Sequence, residues 1–206
     1  MLGGLGLLAA FPTAFAVIIP AVYFPILVML LGLVFRGVAF EFRFRDAENK
    51  TFWDCAFCYG SAIATFAQGV VLGAFVQGFP VQDGQFAGTS LSFLTPFSVL
   101  TGVALMFGYG LLGAGWLIMK TEGAIQATAR RQGRICLIGV VAAIAIVSVW
   151  TPIMVPAVAA RWFSWPNIAL FAPVPVLSGV VALWTWRSLG SKAEAAHFLV
   201  QSCSSS

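Results

Sequence analysis

Five stretches of this 206-residue chain carry no charged side chain, and each is long enough to cross a lipid bilayer. They are residues 1–35, 55–82, 84–119, 135–160 and 162–186. About 20 consecutive apolar residues are enough for a helix to span the hydrocarbon core. Only 9% of the residues are charged and 60% are hydrophobic, whereas a soluble domain is about 25% charged. The sequence therefore predicts an integral membrane protein in contact with the lipid bilayer.

The same composition excludes several other classes of protein. A disordered chain, a disulfide-stapled secreted module, a coiled coil and a nucleic-acid-binding domain all need a polar, cysteine-rich or strongly basic composition. The net charge here is only +4 and there are four cysteines, so no nucleic-acid partner is expected. The apolar runs are continuous and do not alternate in polarity, which favours helices over transmembrane strands.

The first uncharged run is too long for one crossing. Its 35 residues would form a helix of about 52 Å, against a hydrocarbon core of about 30 Å. We expect a turn at Pro12–Thr13, which leaves residues 14–35 as a full span and residues 1–11 as a partial helix. The other predicted spans are residues 54–77, 96–119, 135–155 and 168–186.

These spans predict an all-α fold, a polytopic transmembrane helix bundle with about five full spans plus a partial N-terminal helix. Residues 1–196 are assigned to a single transmembrane domain, and residues 197–206 to a polar tail that is expected to be disordered. The connections after the five spans contain four, no, four, one and two Lys or Arg residues in chain order. Because Lys and Arg accumulate on the cytoplasmic side, the first, third and last connections are predicted to face the cytoplasm.

Small residues recur at helical spacing within the second predicted span. Gly69 and Gly73 form a GxxxG pair, and Gly60 with Ala64 forms a weaker pair of the same kind. Such faces allow two helix backbones to approach closely. We expect tight helix packing of some kind here, more than a self-associating dimer.

Metal and haem ligands are scarce in the sequence. Cys55 and Cys58 have the spacing of a redox or metal pair, but no second pair exists and both are interpreted as packing residues. The only histidine, His197, lies beyond the last predicted span. The methionines in or beside the spans are interpreted as lipid-facing or packing residues and not as axial ligands; they are Met29, Met106, Met119 and Met154. No metal site is expected, and no cofactor is expected to bind to this chain.

Glu41 is the ionisable residue that the pattern singles out. If the helix continues beyond residue 35, Glu41 lies among Val38, Phe40 and Phe42 near the cytoplasmic end of an apolar helix. A carboxylate in such a place is costly unless it is paired or lines a path for water, which makes it a candidate functional group. The alternative is a surface ion pair with a neighbouring arginine, and the residues alone leave the two interpretations equal. Further along the chain, Lys120 and Glu122 are interpreted as an interfacial charge cluster before a helix-ending glycine.

Ordered motifs across the chain resemble subunit II of the cytochrome bd quinol oxidase family. Residues 33–43 read LVFRGVAFEFR, Trp53-Asp54 opens the next helix, and the later motifs are QGVVLGAFVQG at 68–78, LTPFSVLTG at 94–102 and GWLIMKTEG at 115–123. The motifs resemble the branch called cyanide-insensitive. The resemblance covers about residues 1–196.

The resemblance implies a terminal oxidase of the bacterial cytoplasmic (inner) membrane that oxidises quinol and reduces dioxygen to water. It implies that haems b and d are carried by a partner, subunit I, and that subunit II is free of haem and supports assembly and proton delivery. It places a proton-path carboxylate at Glu41, with supporting charges in the same motifs at Arg36, Arg43, Asp54, Lys120 and Glu122.

The chain also departs from the family, which has about eight spans. The helix expected before residue 1 and the helices expected after residue 196 are missing, and the serine-rich end is unlike the family. We therefore expect a fragment with an internal start and an out-of-frame end. The alternatives that stay open are a non-functional truncated remnant of the subunit and a small membrane transporter, although the paired helix interruptions typical of transporters are not found.

Overall fold

The structure is a computed structural model that describes residues 6, 8–46, 49–82, 85–89, 91–154 and 177–187. Four long helices account for most of these residues: α1 (Pro12–Arg45), α2 (Lys50–Gln77), α3 (Pro96–Lys120) and α4 (Ala124–Met154). Residues 177–187 are also helical. The predicted all-α polytopic helix bundle is confirmed.

Four of the five predicted spans are recovered within the described residues. The four long helices are each long and apolar enough to cross a membrane. Of the fifth predicted span, 168–186, only residues 177–186 are described, and these are helical. The predicted tail, 197–206, lies outside the described residues.

Helix α1 is longer than the predicted span of residues 14–35. Its 34 residues correspond to about 51 Å, well beyond a core of about 30 Å. The break expected at Pro12–Thr13 falls one residue earlier, at Phe11, and Pro12 begins the helix. Proline suits this first position because the amide hydrogen that it lacks has no partner there anyway. The helix continues to Arg45, so the extension through Glu41 that the sequence left conditional is present.

Helix α4 also begins earlier than predicted, at Ala124 instead of residue 135. The sequence placed its three arginines in a connection, but Arg130, Arg131 and Arg134 lie on the helix. Alanine, glutamine and arginine are good helix formers, so the polar segment extends the apolar span without a break. Gly123 separates α4 from α3 in a left-handed conformation with φ of 70°, which glycine adopts without steric cost.

The connection from α2 to α3 folds into a short hairpin. Gly78, with φ of 80°, ends α2. The two-residue strands β1 (Val81–Gln82) and β2 (Gln85–Phe86) then pair in antiparallel fashion, with Val81 opposite Phe86. The chain next turns back towards α1, where the Phe93 ring stacks on Phe24 with ring centroids 6.0 Å apart.

The chain forms two compact units, residues 1–106 and 107–206, and the boundary falls within α3. In the first unit α2 packs against both neighbouring helices through glycines. A Cβ atom added at Gly60 would come within 2.8 Å of the Gly32 carbonyl oxygen of α1. One added at Gly69 would come within 2.6 Å of Gly102 Cα in α3. Backbones can approach this closely only where side chains are absent.

In the second unit α4 turns back along the end of α3. Gln126 Nε2 donates to the Ile118 carbonyl oxygen at 2.9 Å. Further along, a Cβ atom added at Gly110 would lie 3.0 Å from Cys136 Sγ, which indicates close contact between the two helices. Helices α3 and α4 are therefore in contact over several turns within this unit.

Candidate functional site

The charged residues of the first motif lie where the end of α1 meets the beginning of α2. Arg43 of α1 and Asp54 of α2 form an ion pair with two contacts, from Nε to Oδ1 and from Nη2 to Oδ2, the latter at 3.4 Å. Both side chains are about half exposed. This bidentate geometry suits the planar guanidinium, and it fixes the relative position of the two helix ends.

Asp46 and Trp53 organise the turn between these helices. Asp46 accepts hydrogen bonds from the backbone nitrogen of Asn49 at 3.2 Å, from Asn49 Nδ2 at 3.0 Å and from Trp53 Nε1 at 3.3 Å. The Trp53 ring also stacks on Phe42, with ring centroids 5.1 Å apart. The turn is therefore held by polar and aromatic contacts together.

Glu41 lies one helical turn before the end of α1. Its side chain is 72% exposed, and its Oε1 lies 3.9 Å from Nη2 of Arg45 in a loose ion pair between positions i and i+4. The aromatic neighbours Phe40 and Phe42 are exposed as well. The expected enclosure of Glu41 by these rings is thus absent from the described chain, because successive residues of a helix point in different directions. The ion pair corresponds to the alternative interpretation of Glu41, with Arg45 as the partner.

Arg36 lies five residues before Glu41 on α1, and its guanidinium carbon is 5.4 Å from the centre of the Phe57 ring of α2. A cation over an aromatic face is stabilised by the quadrupole of the ring. The structure therefore brings Arg36, Glu41, Arg43 and Asp54 to the same region of the first unit, along the facing ends of α1 and α2.

Lys120 and Glu122 belong to the second unit. Lys120 Nζ lies 5.5 Å from the centre of the Trp116 ring. Glu122 is exposed in the short turn before Gly123. Both charges are exposed at the surface of this unit, Lys120 as the last residue of α3, and their role as an interfacial charge cluster stays a prediction.

The donor set of the described residues does not fit a haem ligand pair. These residues include no imidazole, since His197 lies outside them. Met106 and Met119 are exposed on the surfaces of their units, and haem iron in proteins is usually bound by His, Cys, Met or Tyr in an enclosed pocket. Among the described residues no group of three or more His, Cys, Asp or Glu side chains could hold a metal ion. Cys55 and Cys58 are free and exposed at the start of α2.

A partly buried polar cluster at the other end of α2 was not predicted from the sequence. Ser98 is fully buried and donates to the Phe93 carbonyl oxygen. Thr95 and Ser98 cap α3 reciprocally, with Ser98 N 3.1 Å from Thr95 Oγ1 and Thr95 N 2.9 Å from Ser98 Oγ. Thr95 Oγ1 also donates to Gln77 Oε1 at 2.6 Å. The Thr-Pro-Phe-Ser pattern could have indicated this cap, because Thr and Ser three residues apart before an apolar run mark a helix start.

The four spanning helices and the charged junction between α1 and α2 define the class of protein. It is a multi-pass helical membrane protein with a cluster of charges where two spanning helices meet. The family model described as cytochrome bd terminal oxidase subunit II matches residues 1–205, so the chain belongs to that family. This match extends beyond residue 196, where the sequence resemblance was taken to end.

Two curated relatives show the extent of the similarity. The chain is 33% identical over 141 residues to cytochrome bd ubiquinol oxidase subunit 2 of Bacillus subtilis. That alignment covers 65% of this chain and 41% of the Bacillus subtilis protein. It is 27% identical over 154 residues to cytochrome bd-I ubiquinol oxidase subunit 2 of Escherichia coli K12. That alignment covers 71% of this chain and 41% of the Escherichia coli protein. The chain thus spans about two fifths of the length of the curated relatives that it matches.

Proposed function

We propose that this chain acts as part of subunit II of a quinol oxidase that reduces dioxygen to water in the bacterial cytoplasmic membrane. The observation that carries the proposal is the family match over residues 1–205. The four spanning helices support it, because such an oxidase works within a bilayer.

The proposed partner is a haem-bearing subunit I, which would supply haems b and d and the site of quinol oxidation. When bound there, the haems carry electrons from quinol to dioxygen. The donor set of the described residues agrees with this division, because those residues include no imidazole. The role left to this chain is to hold its partner in place and to supply protons.

Glu41 is the proposed entry point for protons. Its exposed carboxylate sits one turn from the end of α1, beside the Arg43–Asp54 pair. That pair fixes the helix end from which Glu41 projects, and the ion pair with Arg45 is long and solvent-exposed, so it holds Glu41 only weakly. A carboxylate placed in this way can exchange protons with water and can be covered by a partner subunit.

The test is made in a complete two-subunit oxidase that contains these residues. Glu41→Gln should keep the haem spectrum and the assembly of the complex but slow oxygen consumption with quinol, because an amide cannot release a proton. Glu41→Asp should retain much of the rate. Asp83→Asn, in the connection predicted to lie on the opposite side of the membrane, is the matched control and should respire at the unmodified rate.

The outcomes separate the alternatives. Normal respiration of the assembled Glu41→Gln enzyme would show that Glu41 is only an interfacial charge. If the chain does not co-purify with a haem-bearing subunit at all, the truncated-remnant interpretation replaces the proposed function.

A further inference from the structure

Arg130 is a largely buried basic residue that the proposed function does not use. It lies in the second turn of α4 and is only 7% exposed. Ala129 and Leu137 beside it on the helix are also buried, at 2% and 5% exposure. Arg130 therefore belongs to the inward face of α4, although arginine is rarely fully buried without a partner.

The packing of α4 on α3 shows where this face lies. Gln126, one turn before Arg130, donates to the Ile118 carbonyl oxygen of α3. Cys136, less than two turns after it, is in close contact with Gly110 of α3. Arg130 lies between these two contacts, so its side chain is held against the helix pair and does not extend freely into solvent.

Counter-charges for Arg130 are lacking in this part of the chain. Residues 107–154 contain four basic residues and a single acidic one, Glu122, which is exposed in the turn before α4. Within the described residues Arg130 makes neither an ion pair nor a hydrogen bond. The nitrogen atoms of Arg130 are not among the buried, unpartnered side-chain atoms of the described residues, so they remain accessible to a ligand although most of the side chain is covered. A charge on the inward face of a helix is unfavourable unless it is compensated, and these nitrogens can meet an anion from outside the described residues.

The distance of Arg130 from the apolar stretch of α4 indicates which kind of anion it can meet. It precedes the apolar stretch that begins at Ile135 by five residues, or about 7.5 Å along a helix. The headgroup layer of a bilayer extends about 5–7 Å beyond the hydrocarbon core on each side. The backbone of Arg130 is thus placed near the outer edge of the headgroup layer, from which its long side chain can reach the lipid phosphates, and basic pockets between helices at this level bind anionic headgroups.

We propose that Arg130 binds the phosphate group of an anionic phospholipid in the groove between α3 and α4. Arg134 lies one turn further along the same face of α4 and adds positive charge to the site. A guanidinium suits this ligand because it donates two parallel hydrogen bonds to phosphate oxygens. The proposal depends on the membrane location of the chain and not on its part in an oxidase.

The experiment measures the thermal unfolding midpoint of the full chain in detergent micelles that contain either phosphatidylcholine or phosphatidylglycerol. Phosphatidylglycerol should raise Tm by at least about 3 °C, because a ligand that binds only the folded state stabilises it. In Arg130→Gln this response should disappear, while Tm in phosphatidylcholine should stay close to that of the parent chain, since only the phosphate-binding group has been removed. Arg131→Gln removes the same charge from an exposed neighbour and should keep the response.

Three results would overturn the proposal. In the first, Arg130→Gln responds to phosphatidylglycerol as the parent chain does. In the second, Arg131→Gln loses as much of the response as Arg130→Gln, which would indicate diffuse surface attraction. In the third, inorganic phosphate reproduces the whole effect, which would identify a free-ion site. If Arg130→Gln does not fold, native mass spectrometry of Arg130→Lys and Arg131→Lys tests the proposal instead. Only Arg130→Lys should lose bound phosphatidylglycerol, because lysine cannot make the bidentate contact.

Discussion

Three hydrogen bonds meet at the carboxylate of Asp46, in the turn between α1 and α2. The neighbouring carboxylate of Asp54 makes a bidentate ion pair with Arg43 instead. The two acids illustrate different physical situations. Asp46 joins three donors of the turn, two on the exposed Asn49 and one on the partly buried Trp53, while Asp54 is paired with the half-exposed guanidinium of Arg43.

This difference predicts unequal stability effects. Asp46→Ala should lower the free energy of unfolding by about 1.5–4.5 kcal/mol, because it removes three hydrogen bonds that each contribute about 0.5–1.5 kcal/mol. Asp54→Asn should cost less than about 1 kcal/mol, since exposed ion pairs contribute little. Reversible unfolding of the chain in mixed micelles measures both variants. Equal costs for the two substitutions would mean that the ion pair contributes as much to stability as the hydrogen bonds of the turn, against this prediction.

Among single residues, the sequence drew attention to Glu41, but it did not predict how exposed its side chain is. Glu41 stands out in the sequence because a carboxylate interrupts an apolar helix. Its exposure depends on which face α1 turns towards α2, and that face is set by Gly32 and Gly60, which are distant in sequence. The role of Asp46 could not be predicted either, because its hydrogen bonds to Asn49 and Trp53 exist only once the turn has formed.

At the scale of the helices, glycines set the distances between neighbours. A Cβ atom added at Gly69 would meet backbone atoms of α3, which cannot move aside as a flexible side chain can. Gly108 of α3, by contrast, has open space around its Cα atom. The two positions therefore form a matched pair for substitution by alanine.

Gly69→Ala should destabilise the chain by about 1–3 kcal/mol, the usual cost of overpacking a close contact. Gly108→Ala should be neutral or slightly stabilising, because alanine favours a helix more than glycine does. Thermal unfolding of both variants in the same micelles checks the prediction. A Gly69→Ala variant as stable as the parent chain would show that α2 and α3 can move apart without loss.

The helix ends show what hydropathy can and cannot predict. The ends at residue 77 and near residue 120 were predicted within one residue, because Gly78 ends α2 and charge appears at Lys120. The beginning of α4 was wrong by eleven residues, since Ala124 and not residue 135 begins the helix. Loss of hydrophobicity marks the edge of the membrane, whereas the end of a helix depends on backbone propensity and on Gly123.

For the whole molecule, the distribution of basic residues predicts one orientation in the membrane. Reporter fusions after Lys50 and after Arg131 should behave as cytoplasmic, because the four basic residues of each neighbouring connection are retained on that side. A fusion near Gly84 should behave as external. The reverse pattern of reporter activity would overturn the orientation and the order of the spans.

The composition of the whole chain also predicts its behaviour towards haem. Because the only histidine is His197, beyond the last predicted span, the purified chain should show no Soret band after reconstitution with haem. Absorption spectroscopy of the chain in detergent measures this directly. A stoichiometric low-spin spectrum that disappears when Met29 or Met106 is replaced would show that a methionine serves as a ligand.

The two glycine contacts of α2 have a consequence for how the protein is made. Gly60 and Gly69 are nine residues apart, which at 3.6 residues per turn places them on opposite sides of the helix. One side fits α1, which leaves the ribosome earlier, and the other fits α3, which leaves it later. Helices associate after they enter the bilayer. Helix α2 can therefore pack on α1 as soon as both are inserted, and its Gly69 side stays in contact with lipid until α3 is inserted. Helix α3 then packs on this remaining side of α2, so the helices assemble in the order in which they are synthesised.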